Sequence, residues 1–166
     1  MRPPFLAVRS RSADETTSLG RRIAALLRPG DVLLLVGDLG TGKTTFVQGL
    51  ALGLGIGERP HSPTFALVHR YDGGTLPLVH VDLYRTDSST EVVDLGLEEL
   101  FEPPSVAAVE WGEKAAGVVG PDHLELSFAW DDGDEDTRTI RLVPIGSWQD
   151  RMTELSEAVR SWAEAS

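Results

Sequence analysis

Apolar residues recur along the first two thirds of the chain in two alternating rhythms, one suited to strands and one to helices. "PFLAV" reads as a first short strand. Ser12 and Glu15 in "SADE" have the spacing of a capping box. Leu19, Ile23, Ala24 and Leu27 then recur at helical intervals, which predicts a helix through about Leu27. "RPGD" is a turn. "VLLLVG" is continuously apolar, as expected of a central parallel strand covered on both faces. A glycine-rich stretch follows, and a helix from Gly42 or Lys43 to about Gly53, closed by the glycines and proline of "GLGIGERP".

Beyond it, a proline-containing loop leads to a strand near Ala66 to Tyr71. "LPLVHVDLYR" holds a second apolar strand, ending at Asp82. "STEVVDLGLEELF" predicts one helix or two short ones, and "SVAAVEW" a third apolar strand, ending at Glu110. The rhythm then changes. "HLELSFAW" and "TRTIRLVPI" flank the acidic "DDGDED", read as a solvated turn, and form an antiparallel hairpin. From about Ser147 a last helix carries Trp148, Met152, Leu155, Val159 and Trp162 on one face, a stripe better suited to packing within the domain than to a partner's groove. There is no internal repeat and no linker. The order predicts one α/β domain over residues 1–166, a P-loop NTPase-like three-layer fold. Its central sheet is largely parallel, with helices on both faces and an antiparallel hairpin extension.

The turn after the strand "VLLLVG" carries chemistry. Gly37-Asp38-Leu39-Gly40-Thr41-Gly42-Lys43-Thr44 matches G-x-x-x-x-G-K-[ST] without a gap, between a strand and a helix as that motif requires. Backbone N–H groups from Leu39 through Thr45 can surround phosphates there, because the glycines permit close approach. Lys43 would bridge the β- and γ-phosphates and the Thr44 hydroxyl would ligate Mg²⁺. Lys43 and Lys114 are the only lysines in a chain that otherwise uses arginine for positive charge. A compact ammonium has been kept where a P-loop needs one. Asp82 and Glu110 each end an apolar strand, and ligands of open α/β sheets sit beyond such ends. One carboxylate would approach the magnesium ion while the other orients the attacking water; position alone does not assign which.

Composition narrows the setting. The apolar and charged fractions, 41% and 25%, are those of a globular domain. No cysteine is present, which excludes disulfide scaffolds, zinc–cysteine sites and cysteine nucleophiles. No segment reads as a signal peptide or a membrane span, so a cytoplasmic setting is expected. A net charge of −11 repels a phosphate backbone, so any contact with RNA is expected to pass through a partner protein. His61, His69, His80 and His123 lack metal-ligand spacing, and His80 reads as a core or near-core histidine. An N-K-x-D motif of GTPases is absent. A small-molecule kinase would need an arginine-rich lid, and "HRYDGG" and "LYRTDSS" offer one arginine each. A kinase of a small hydroxylated substrate and a non-catalytic ATP-dependent binding switch remain the alternatives to an ATPase.

"GDLGTGKTTFVQGL", "SPTFALVHRY", "HVDLYR", "DLGLEELF" and "VAAVEW" occur here in the order and spacing of the TsaE (formerly YjeE) family, which the chain resembles from about Ser12 to Trp111. The resemblance implies ATP with Mg²⁺. It also implies hydrolysis in support of TsaD and TsaB, which transfer threonylcarbamoyl to the adenosine beside the anticodon of tRNA. Carried over by motif, Lys43 holds phosphate, Thr44 and Glu110 stand on the magnesium side, and Asp82 lies near the γ-phosphate and the water. Trp111 lines the nucleotide site, Glu113 and Arg138 reach the nucleotide, and Ser62 and Thr64 of "SPTF" form a switch segment. Two positions depart from the family pattern: Thr41 stands where alanine is common, and Gly112 where proline is usual, which predicts a looser loop around Glu113. Asp38 beside the phosphates is shared with the family.

Overall fold

A computed structural model of the chain describes residues 4–61 and 67–163. Among the described residues, seven strands form one sheet: β1 (Leu6–Ser10), β2 (Val32–Val36), β3 (Val68–Tyr71), β4 (Leu78–Asp82), β5 (Val106–Glu110), β6 (His123–Asp131) and β7 (Asp134–Ile145). The helices are α1 (Ala13–Ala24), α2 (Lys43–Gly53), α3 (Ser89–Asp94), α4 (Leu97–Leu100) and α5 (Met152–Ala158). Strand order is β1-β7-β6-β2-β5-β4-β3. The middle, β6-β2-β5-β4, is parallel, and antiparallel pairs close both edges.

Sequence predicts an antiparallel extension at one edge only. The second arises because the chain between Tyr71 and Leu78 is too short for a helical crossover, so β3 folds back on β4 with His69 opposite His80. The first strand also lies away from β2: it crosses to the far edge and pairs with β7, Leu6 against Leu142. The hairpin turn is tighter than "DDGDED", since β7 begins at Asp134.

Alternation along β2 divides two cores. Leu33 and Leu35 face α1, α2 and α5, while Val32 and Leu34 face α3, α4 and the turn after β5. Helices α1 and α2 pack backbone to backbone through glycine. A Cβ on Gly49 would sit 2.1 Å from the Thr17 carbonyl oxygen, and one on Gly20 2.3 Å from that of Phe46. The predicted capping box starts α1: Ser12 Oγ accepts from the Glu15 N–H at 3.0 Å, and the Glu15 carboxylate reaches back to the N–H of Arg11 at 2.6 Å. The C-terminal stripe packs inward as expected. Trp148, Leu155 and Val159 are buried in the first core, and Trp162 donates to the Glu15 carbonyl at 3.2 Å. The helix carrying the stripe is broken into a 3-10 turn over Gly146–Arg151, α5, and a 3-10 turn over Arg160–Trp162. The first break falls at Arg151, whose guanidinium turns inward to Asp31.

Candidate functional site

A cleft of about 270 Å³ opens at the carboxyl ends of the parallel strands. Its floor is the turn between β2 and α2. Gly40 and Gly42 hold left-handed backbone, φ 81° and 102°, so the chain can turn sharply into the helix. With Gly42 as its N-cap, α2 begins without a side-chain cap, and its first N–H groups face the cleft end of the helix. Leu39, Gly40, Gly42, Lys43, Thr44 and Thr45 line the cleft. Thr41 is buried beneath it, its hydroxyl donating to the Asp38 carbonyl at 2.7 Å, while Asp38 itself is exposed.

The register of β4 against β5 sets Asp82 beside Glu110 on the same face. Glu110 is 3% exposed, and its two carboxylate oxygens accept from the Thr44 hydroxyl at 2.9 and 2.8 Å. The first side chain of α2 past the lysine therefore meets the end of β5. Asp82 accepts from the Tyr84 N–H at 2.9 Å. Burial pushes its carboxyl above the ordinary range, with the Tyr84 N–H working against that and the charge of Glu110 adding to it. Lys43 is 4% exposed; its ammonium donates to the Gly37 carbonyl and lies 3.9 Å from the centre of the Trp111 ring. Burial draws its pKa below the ordinary lysine value, opposed by the charges of Glu110, Glu113, Asp82 and Asp38.

Trp111 takes left-handed backbone, φ 59°, which turns the chain sharply after β5 and puts its ring on the cleft wall, 5.2 Å from that of Tyr84. The turn it enters is not loosened by Gly112. A Cβ there would sit 2.7 Å from that of Leu34, so glycine lets the turn seat directly on β2. Lys114 fastens the same turn to the segment after β4, donating to the carbonyls of Leu83, Tyr84 and Thr86 at 2.9–3.2 Å. Glu113 is exposed on this turn and outside the cleft lining. Arg138 does line the cleft, its guanidinium 3.4 Å from the centre of the Trp130 ring and bonded to the Glu135 carbonyl at 2.5 Å. Ser62 and Thr64 lie outside the described residues.

Sequence reasoning misses several cleft residues. Ser12, Ala13 and Thr16 form one wall, brought there by the α1–α2 contact, and Asp136 enters from the acidic hairpin. Behind the cleft, His80 is fully buried, as its apolar strand predicts, but its contact is missed: Nε2 lies 2.6 Å from Glu110 Oε2. Its place two residues before the strand-end acid is the only signal the sequence offers.

The loop N–H groups and Lys43 are donors that suit an anion, with acceptor oxygens beside them. Among the described residues, no cluster of three His, Cys, Asp or Glu is placed to hold a metal alone. Thr44 and Glu110 offer adjacent hard oxygens at the cleft. That suits a magnesium ion that takes its remaining ligands from phosphate and water.

Fold and cleft are those of a P-loop-like α/β domain. The solved structure of YdiB from Bacillus subtilis superposes with a TM-score of 0.78 and 34% identity, covering 95% of this chain and 97% of that one. Residues 10–140 match the family model described as threonylcarbamoyl adenosine biosynthesis protein TsaE, and the chain belongs to the TsaE family. Proteins named tRNA threonylcarbamoyladenosine biosynthesis protein TsaE agree with it over most of their lengths. That of Bacillus subtilis is 39% identical over 88% of this chain and 90% of its own. That of a Nostoc species is 47% identical over 80% and 82%. No helix among the described residues is long and apolar enough to cross a membrane.

Proposed function

We propose that this protein binds ATP with Mg²⁺ in the cleft and hydrolyses it in the cytoplasm, acting with TsaD and TsaB as they transfer threonylcarbamoyl to the adenosine beside the anticodon of tRNA. Membership of the TsaE family supports the pathway. The observation that carries the chemistry is the meeting of the Thr44 hydroxyl and the Glu110 carboxylate at the uncapped start of α2.

In this reading the loop N–H groups and Lys43 would hold the phosphates, and Thr44 and Glu110 would hold a magnesium ion, which would supply charge screening there. Lys43 leaves a carbonyl and a ring face for a phosphate, regaining the charge stabilisation that burial withholds. Asp82, with its raised proton affinity, orients the attacking water and accepts its proton. Trp111 and Arg138 flank the nucleotide. The net charge of −11 supports contact with tRNA through the partners. A kinase reading gains nothing from the cleft, because among the described residues Arg138 is the one arginine in its lining and is already stacked on Trp130.

Mass spectrometry of tRNA nucleosides from cells depleted of this protein tests the reading. Loss of threonylcarbamoyladenosine, restored by wild type and not by Lys43→Ala, is expected. An unchanged level would overturn the assigned pathway.

A further inference from the structure

His80 is fully buried on β4, between Val79 and Val81 in sequence and opposite Ala108 and His69 in the sheet. Its two ring nitrogens have different fates. Nε2 lies 2.6 Å from Glu110 Oε2, and Nδ1 is buried with no hydrogen-bond partner among the described residues. A carboxylate oxygen accepts, so Nε2 carries the proton and donates.

Glu110 Oε2 thus receives two donors, His80 Nε2–H and the Thr44 hydroxyl, from different elements. Thr44 alone would leave the carboxylate free to rotate about its last torsion, because one hydroxyl serves both oxygens. The imidazole is rigid, walled in by the sheet, and bonds one oxygen only. We propose that His80 is the positioning residue of the magnesium site: its Nε2–H fixes the plane of the Glu110 carboxylate so that Oε1 is presented to the ion beside the Thr44 oxygen. This inference rests on the reading of Thr44 and Glu110 as the magnesium-side pair.

The two nitrogens suggest the test. His80→Gln sets an amide N–H close to the Nε2 position, whereas His80→Asn sets it close to Nδ1, where no partner stands. Both variants bury one amide at position 80, and affinity in EDTA reports a structural penalty separately from the magnesium gain. ATP affinity is measured by titration calorimetry with Mg²⁺ and with EDTA, for wild type, both His80 variants and Glu110→Gln.

Wild type should bind ATP more tightly with Mg²⁺, and Glu110→Gln should lose most of that gain. His80→Asn should lose about tenfold of it, the worth of one hydrogen bond to a charged group, with affinity in EDTA unchanged. His80→Gln should keep it. Equal magnesium gains in the Asn and Gln variants, with Glu110→Gln still impaired, would overturn the positioning role alone. A magnesium gain absent from wild type, or unaffected by Glu110→Gln, would overturn the site reading and the inference with it.

Discussion

Two buried polar clusters occupy opposite ends of the central strand β2, separated by about 17 Å of extended chain. At its start, Asp31 receives Arg151 in a two-pronged pair at 2.5 and 2.7 Å and the N–H of Arg28 at 2.7 Å. Arg151 also donates to the Leu26 carbonyl at 3.2 Å and lies over the Trp148 ring at 3.8 Å. Beyond its other end, the cleft leaves demands unmet. Asp82 is pushed toward its protonated form and Lys43 is held below its ordinary pKa; behind them, His80 Nδ1 has no partner among the described residues. Both clusters are buried. The first is complete in itself and works as a strut, joining the C-terminal segment to the strand. In the proposed reading the second is completed by a charged ligand, and binding relieves the unfavourable burial of Lys43.

Breaking the strut should have the largest effect. Arg151→Met leaves Asp31 buried without its partner and is expected to lower stability by about 3–5 kcal/mol in urea denaturation. ATP affinity of the folded fraction should be unchanged; a loss of affinity matching the loss of stability would erase the distinction between the clusters. Lys43→Ala should behave in the opposite way. Removing a charge-assisted contact to phosphate should weaken ATP binding by roughly 2–3 kcal/mol, while stability is kept, since a burial cost disappears with the ammonium.

The smallest effect sharpens the comparison most. Asp82→Asn keeps an acceptor for the Tyr84 N–H and removes the buried charge. The folded carboxyl holds its proton to a higher pH than the ordinary 3.8, so native protein binds more protons than unfolded chain just above that value. Stability therefore falls as pH rises through the window between the two pKa values, and at pH 7 the ionised group is a net cost. Asp82→Asn should raise the ligand-free melting temperature at pH 7 by roughly 2–4 °C, the shift that about 1 kcal/mol gives a domain of this size. The advantage should shrink as pH falls below the ordinary carboxyl range. A variant less stable than wild type at pH 7 would show that Asp82 is a structural acid after all.

The floor of the cleft is legible in the chain because it is local. Gly40, Gly42, Lys43 and Thr44 are consecutive or nearly so, and a strand, a glycine turn and a helix start leave their backbone few alternatives. The same holds for the Ser12 cap and for the apolar strands ending at Asp82 and Glu110. The hairpin's register and the split of the last helix were less legible. The register shift at Trp130 and Asp131, and the inward turn of Arg151, answer to packing rather than to the local pattern.

Sequence by itself determined the kind of site: a glycine loop with a lysine and hydroxyl, two strand-end acids, and one α/β domain to hold them. Family resemblance set Glu110 with Thr44; only the tertiary structure decided their contact, that His80 stands behind Glu110, and that Asp31 is answered by Arg151. These contacts join residues 66, 30 and 120 positions apart. Hydrophobic period and turn chemistry act over a few neighbouring residues and fix which face a side chain takes. Pairs this distant depend on strand order and register, which the chain settles only when its two cores close on the sheet.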